Sequence, residues 1–322
     1  MERELHARIV FLHSSRHIND MAAKAYNILI NGKAGTVLNL GHDSITAAIE
    51  ASGMAVNELL FAEPEEMEAA LNRFAQSSDP LLVGGGDGTL RSCAETLSRK
   101  NKAFGILPFG TMNLLAHDLG MNTLDEALKA YAKGALETRV DAGEINEELF
   151  LCCASIGVMP EASVFREEHR TNNFLLMVPY LFWFVADYFE RRKNARIVLQ
   201  NGKRLHRFRS PAVVISANRY ADTTRIDESN FKRNDLQGGE LAAYIASTRT
   251  RVSHLRFLTR LLVGNWKSDP DLTELTGTQM TLWTRHRKEK VSVDGEVTDL
   301  KTPLVIKLKA RYVPLLIPLR EA

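Results

Sequence analysis

Apolar and polar positions change rhythm near residue 135. From about Tyr26 to Ala132, short runs of strand character alternate with stretches in which apolar residues recur every three to four positions. AYNILIN, ELLF, DPLLVGG and AFGILPF predict strands, and SITAAIEA, EEMEAALNRFAQ, TLRSCAETLSR, MNLLAHDLG and LDEALKAYAKG predict helices. That alternation predicts an open parallel α/β sheet, whose ligands bind at the carboxyl ends of the strands, here the loops after Ile30, Val83 and Leu107.

Beyond Ala135 the period shortens to two. ELFLCCASIGV, ARIVLQNGKRLHRF, PAVVISANRY, ELAAYIAS, QMTLWTR and KVSVDGEV predict a mainly antiparallel β-domain, interrupted by helical stretches near 172–193 and 250–263. The expected division is 1–136 for the α/β domain and 137–304 for the β-rich domain, with 305–322 returning to the first. From Arg249 to Trp266, Val252, Leu255, Leu258, Leu262 and Trp266 fall near one helical face with Arg251, Arg256, Arg260 and Lys267 around it, which reads first as a packed amphipathic helix and second as a seat on a membrane surface.

Length and apolar share, 322 residues and 45%, provide for substantial cores and exclude general disorder. The net charge of +2 conceals an asymmetry: residues 1–130 carry 11 basic and 16 acidic side chains, and 131–322 carry 30 and 23. A positive second half points to an anionic partner. Phe174 to Ala186 is an uncharged stretch of 13 residues rich in aromatics, followed from Arg191 to Arg209 by eight basic residues and no acidic one. Thirteen residues fall short of the roughly 18 needed to span a bilayer. The pair reads either as an interfacial seat on an anionic membrane or as a buried helix followed by a solvated basic hairpin. No DNA- or RNA-binding motif is recognisable, so nucleic acid is not expected as the partner. Cys93, Cys152 and Cys153 have no metal-ligand spacing and cannot form a disulfide framework, and the N-terminus lacks a signal-peptide core; both favour a cytosolic location.

Three strand-to-loop transitions carry the candidate chemistry. The strand Leu81-Leu82-Val83 runs into Gly84-Gly85-Gly86-Asp87-Gly88-Thr89 before a helix. Glycines let backbone N–H groups approach phosphate oxygens, and a helix N-terminus adds partial positive charge. Asp87 is the candidate Mg²⁺ ligand, through water, since Mg²⁺ keeps much of its hydration shell. Neither the Walker spacing nor G-x-G-x-x-G is present. The next strand ends in Pro108-Phe109-Gly110-Thr111-Met112-Asn113, and an earlier one in Asn31-Gly32-Lys33-Ala34-Gly35. Near the end, Asp294-Gly295-Glu296 follows the alternation V-S-V; it reads as a hairpin turn or as a carboxylate pair able to take a proton from an alcohol.

Together these four marks resemble the diacylglycerol kinase catalytic family, which includes bacterial lipid kinases and the sphingosine and ceramide kinases. The resemblance implies a nucleotide-binding α/β domain and a β-sandwich-like second domain. It also implies ATP contacts from Asn31, Gly32, Lys33, Ala34, Gly35, Gly85, Gly86, Asp87, Gly88, Thr89, Gly110, Thr111 and Asn113, and a general base at Glu296 with Asp294 and Asp87 beside it in catalysis. The expected activity is phosphate transfer from ATP to a lipid hydroxyl, with Mg²⁺, at the inner membrane face. Diacylglycerol is the first expected substrate and ceramide or a sphingoid base the next, and a homodimer is in keeping with the family. A soluble-substrate kinase of the NAD kinase type and a non-catalytic nucleotide- or lipid-binding regulator are the alternatives. The chain departs from the family pattern at Arg91, Ser92, Leu114, His117 and Gly238, the last in place of an Asp linked to a structural Mg²⁺, so no second metal is expected.

Overall fold

A computed structural model describes residues 25–157, 195–222, 231–248 and 250–319. The apolar stretch Phe174–Ala186, the basic residues Arg191 to Lys193 and the segment before the first strand lie outside the described residues. The chain divides into two units, 1–139 with 313–322, and 140–312.

In the first unit, strands and helices alternate: β1 (Tyr26–Asn31), α1 (Gly35–Leu40), α2 (His42–Ala51), β2 (Val56–Ala62), α3 (Met67–Phe74), β3 (Leu81–Gly85), α4 (Asp87–Arg99), β4 (Phe104–Pro108), α5 (Leu114–Asp118) and α6 (Leu124–Ala132). The strands are near-continuous apolar runs, as strands covered on both faces must be. Ile28, Leu29, Ile30, Leu81, Leu82, Val83, Ile106 and Leu107 are fully buried. β1 pairs in parallel with β2 and β3, and β3 with β4. A further parallel strand comes from the far end of the sequence, where Leu315 pairs with Phe104.

The contact between that last strand and β4 is completed by a side chain. Tyr131, fully buried on α6, accepts the Ile106 N–H at 2.9 Å and donates to the Leu316 carbonyl at 3.0 Å. Its hydroxyl thus occupies a place that a direct ladder bond would otherwise fill. Gly105 makes room for it, because a β-carbon there would stand 2.7 Å from the Tyr131 ring.

The second unit consists of strands β5 (Ala135–Ile145, whose first residues belong to the first unit), β6 (Glu148–Phe150), β7 (Cys153–Gly157), β8 (Ala195–Asn201), β9 (Arg204–Ser210), β10 (Ala212–Ala217) and β11 (Leu241–Ala246), then helix α7 (Arg251–Leu262), then β12 (Leu272–Gly277), β13 (Gln279–Trp283), β14 (Lys288–Val293), β15 (Glu296–Lys301) and β16 (Leu304–Pro318). The chain passes between units within β5 and again within β16. One sheet here runs β9-β8-β13-β16, with β5 and β6 beyond β16, and the other runs β12-β11-β10-β7-β14-β15. Buried residues of both sheets, among them Ile197, Leu199, Met280 and Ile306 from one and Ile156, Ile215, Ala243 and Val293 from the other, form one core. The expected pairing of a parallel α/β unit with an antiparallel β-sandwich is the fold observed.

Two local expectations are corrected. ELFLCCASIGV is not one strand: pairing stops at Leu151 and Cys152, whose amides are taken by a side chain from elsewhere in the sequence. The apolar face expected on α7 is not packed along its length, since Val252 is 76% and Leu255 59% exposed. Trp266 lies past the helix end, in a 3₁₀ turn, where it packs against Tyr220, Tyr244 and Phe231. Among the described residues no helix is long and apolar enough to cross a membrane.

Candidate functional site

The parallel strands stand in the order β2-β1-β3-β4-β16. Successive crossovers reverse direction between β1 and β3, and the crevice outside the carboxyl ends of the strands flanking such a reversal is where open α/β sheets take ligands. The loops that sequence singles out after Ile30 and Val83 leave those two strands, and the third leaves neighbouring β4.

Hydrogen bonds tie the three loops together. Asn31 Oδ1 accepts the Lys33 N–H at 2.9 Å, closing a tight turn and fixing which way the amide points. Its Nδ2 therefore donates, at 2.9 Å, to Thr89 Oγ1 in the first turn of α4. A hydroxyl oxygen engaged as acceptor keeps its own proton to give, so Thr89 is oriented as a donor. Asn113, at φ 48° in the left-handed region, accepts the Gly110 N–H at 2.7 Å and donates to the Gly110 carbonyl at 2.9 Å. The side chains of Asn31 and Asn113 thus build the loops, and much of the capacity for a ligand falls to backbone groups.

Close contact requires glycine at Gly110 and leaves little room for more at Gly86. A β-carbon on Gly110 would stand 2.6 Å from Gly86 Cα, and one on Gly86 would stand 3.3 Å from Gly110 Cα. The two backbones touch at the start of α4. Gly86 is the residue before that helix and has no side chain to cap it, so the 13-residue helix presents its first amides outward. Gly86, Asp87, Gly88 and Thr89 are all half-buried, at the end of a strand that is wholly buried. Such an edge fits an anion with tetrahedral oxygens. Among the described residues no group of three His, Cys, Asp or Glu side chains is placed to hold a metal. The single carboxylate of Asp87 suits a hydrated Mg²⁺ that takes its other ligands from phosphate oxygens and water.

A ring pair beside this site was not anticipated from sequence. His42, at the start of α2, stacks on Phe61 near the end of β2, with centroids 4.0 Å apart and planes within 11°. A β-carbon on Gly32 would lie 3.8 Å from His42 Nε2, so the pair flanks the first loop. Lys33 of that loop meets Glu63 at 3.1 Å, an exposed pair of small energetic weight. Only the parallel register of β1 and β2, with Asn31 beside Ala62, brings these residues together.

In the second unit, β14 and β15 form a hairpin in which Val293 pairs with Glu296. Asp294 and Gly295, at φ 48° and 92°, make the two-residue turn, as Asp-Gly predicts. The two carboxylates part company. Glu296 is exposed, whereas Asp294 is 4% exposed and accepts three successive amides: Leu151 N–H at 2.6 Å on one oxygen, and Cys152 and Cys153 N–H, each at 2.9 Å, on the other. The reading of Asp294-Gly295-Glu296 as a proton-accepting carboxylate pair is thus corrected at Asp294, which the amides of the interrupted strand consume.

A second buried charge holds the opposite side of the same peptides. Arg233, 5% exposed, donates to the carbonyls of Leu151 at 2.6 Å and Ala217 at 2.9 Å, and stands 3.7 Å from Cys152 Sγ. Leu151 therefore carries a carboxylate on its N–H and a guanidinium on its C=O. Nothing in the spacing of 151, 233 and 294 announces this bracket. Farther off, Gly238 lies against Asn218, and a β-carbon there would stand 2.9 Å from Asn218 Oδ1, so an Asp at 238 requires a local shift.

Comparison with known proteins agrees with the resemblance read from the motifs. Residues 25–145 match the diacylglycerol kinase catalytic domain. The chain is 32% identical over 123 residues to a protein of Pseudomonas aeruginosa described as a probable lipid kinase YegS-like, covering 36% of this chain and 40% of that one. It is 31% identical over 120 residues to a diacylglycerol kinase of Staphylococcus saprophyticus, covering 36% and 38%. These matches thus span about 40% of the length of either relative. The crystal structure of a diacylglycerol kinase from Bacillus anthracis shares the fold over 92% of this chain and 97% of its own, with a TM-score of 0.63 and 18% identity.

Proposed function

We propose that this chain, whose residues 25–145 match the diacylglycerol kinase catalytic domain, is an ATP- and Mg²⁺-dependent kinase that phosphorylates the hydroxyl of a membrane lipid, diacylglycerol first. The observation that carries the proposal is the convergence of three glycine-containing loops at the point where the parallel sheet reverses its winding. In this reading the phosphates of ATP lie over the Gly85–Thr89 turn, held by amides at the start of α4 and by the Thr89 hydroxyl that Asn31 orients. Asn31 to Gly35 and Gly110 to Asn113 bound the nucleotide on either side. Asp87 would hold Mg²⁺, which would supply neutralisation of phosphate charge.

Glu296 is the general base: an exposed carboxylate on a rigid hairpin accepts the lipid hydroxyl proton as the γ-phosphoryl group leaves ADP. Asp294 acts through that hairpin, by fixing the turn that carries Glu296. The enzyme meets its substrate at the cytosolic face of a membrane. The test is transfer from labelled Mg-ATP to diacylglycerol, ceramide, sphingosine and phosphatidylglycerol in mixed micelles, with NAD as soluble control and Glu296→Gln beside the wild type. One labelled lipid, lost in the variant while ATP binding persists, supports the assignment. Label on NAD alone replaces it with a soluble-substrate kinase, and ATP binding with no transfer at all replaces it with a regulator.

A further inference from the structure

We infer that the outer face of the β8–β9 hairpin is the surface by which the protein docks on anionic lipid bilayers; this rests on the lipid-kinase reading for its purpose, but not for its geometry. Side chains alternate across a strand, and the inward set of β8 is fixed by Ile197 and Leu199, both buried in the sandwich core. Arg196, Val198 and Gln200 therefore point outward. Their cross-strand partners are Arg209, Arg207 and Leu205 on one side, and Trp283 lies beside Val198 on the other. The result is one face on which three exposed arginines surround Val198, Trp283 and Leu205, the last 62% exposed. At the hairpin tip, Lys203 and Arg204 are exposed as well.

None of these five cations forms an ion pair among the described residues, although elsewhere in the same unit arginines and lysines are paired, as Arg256 with Asp269 and Lys309 with Glu144. Arg196 and Arg209 are moreover directly opposite each other, an arrangement that costs stability unless an anion lies over it. Edge strands do carry charges to discourage pairing with other chains, and β9 is an edge. That device does not account for Arg196 on the inner strand, nor for a leucine left exposed among the cations. Cations around an exposed leucine and a half-buried indole match a bilayer surface, where anionic head groups meet the arginines and the apolar groups enter the interface. A nucleic acid gives Leu205 nothing to enter.

The measurement is co-sedimentation of the full chain with sucrose-loaded vesicles of phosphatidylcholine alone, or with phosphatidylglycerol added. The wild type binds the anionic vesicles preferentially, and salt weakens the binding. Replacing all three face arginines (Arg196→Gln, Arg207→Gln and Arg209→Gln) lowers the partition coefficient about 100-fold, roughly fivefold per cation. Leu205→Ser alone lowers it about tenfold. The triple variant melts no lower than the wild type, since it removes the opposed Arg196–Arg209 pair, and it keeps kcat on short-chain diacylglycerol dispersed in neutral detergent. Equal binding to both vesicle types, wild-type affinity in the triple variant, or tighter binding of single-stranded RNA through the same arginines overturns the inference. A wild type that binds anionic vesicles yet phosphorylates nothing leaves this surface standing and removes the kinase reading; phosphate transfer without anionic preference does the reverse.

Discussion

Replacing Asp294 by Asn alters one atom and tests the buried bracket. The carboxylate accepts three amides, Leu151 on Oδ2 and Cys152 and Cys153 on Oδ1. An asparagine in the same rotamer keeps its oxygen for two of them, each weakened from a charge-assisted to a neutral bond, about 1 kcal/mol apiece. Its NH₂ group then faces the Leu151 N–H, donor against donor, and the buried amide is left unmet at about 1–3 kcal/mol. Flipping the side chain only exchanges which amides lose. The expected loss is thus about 3–5 kcal/mol of unfolding free energy, measured by urea titration with tryptophan fluorescence. Below the transition, kcat falls at least tenfold while KM for ATP holds, because the bracket sets the Glu296 hairpin and the proposed ATP loops are built from residues 31–113. A loss under about 1 kcal/mol refutes the claim that the three amides depend on the negative charge. A KM for ATP that rises with kcat unchanged refutes the positioning role.

Other perturbations have definite outcomes. Tyr131→Phe leaves the Ile106 N–H and the Leu316 carbonyl buried without their partner, and lowers stability by about 2–4 kcal/mol in the same urea assay. Gly110→Ala places a β-carbon 2.6 Å from Gly86 Cα, so the two loops separate; isothermal titration detects at least a tenfold loss in ATP affinity with the fold retained by circular dichroism. Burial pushes the Cys93 thiol up from 9.0 to about 12. Because the unfolded thiol ionises first, the unfolded state binds fewer protons between those values, and stability falls as pH rises through that window by up to about 1.4 kcal/mol per unit. Cys93→Ala removes that portion of the alkaline slope, as equilibrium unfolding at pH 8 and pH 11 will show.

The parallel unit was legible because its inner strands are near-continuous apolar runs and the loops after β1, β3 and β4 announce themselves by glycine. The β14–β15 turn was legible for a comparable reason, since Asp-Gly is a local signal that needs no partner. What escaped the sequence depends on partners far along the chain. The break in ELFLCCASIGV follows from a carboxylate 143 residues away, and the pattern of those eleven residues contains no trace of it. The stacking of His42 on Phe61 depends on a strand register, and the unpacked Val252 and Leu255 depend on what the fold sets beside α7. Asn31 and Asn113 show an intermediate case: their positions were identified, but their side chains serve the loops themselves.

The strand that completes the parallel sheet has a bearing on how the protein is made. Tyr131 leaves the ribosome roughly 10–40 s before the partner of its hydroxyl, 185 residues later in the sequence, at ordinary rates of synthesis. During that interval β4 is an open edge, the Tyr131 hydroxyl that accepts the Ile106 N–H has no carbonyl to receive its own proton, and the whole sandwich must be translated before the missing strand arrives. The first-formed half of this chain is therefore the last to be finished. Expression of residues 25–145 alone, the span that carries the catalytic-domain match, would freeze the molecule in that nascent state, and chaperone dependence should concentrate there rather than in the sandwich.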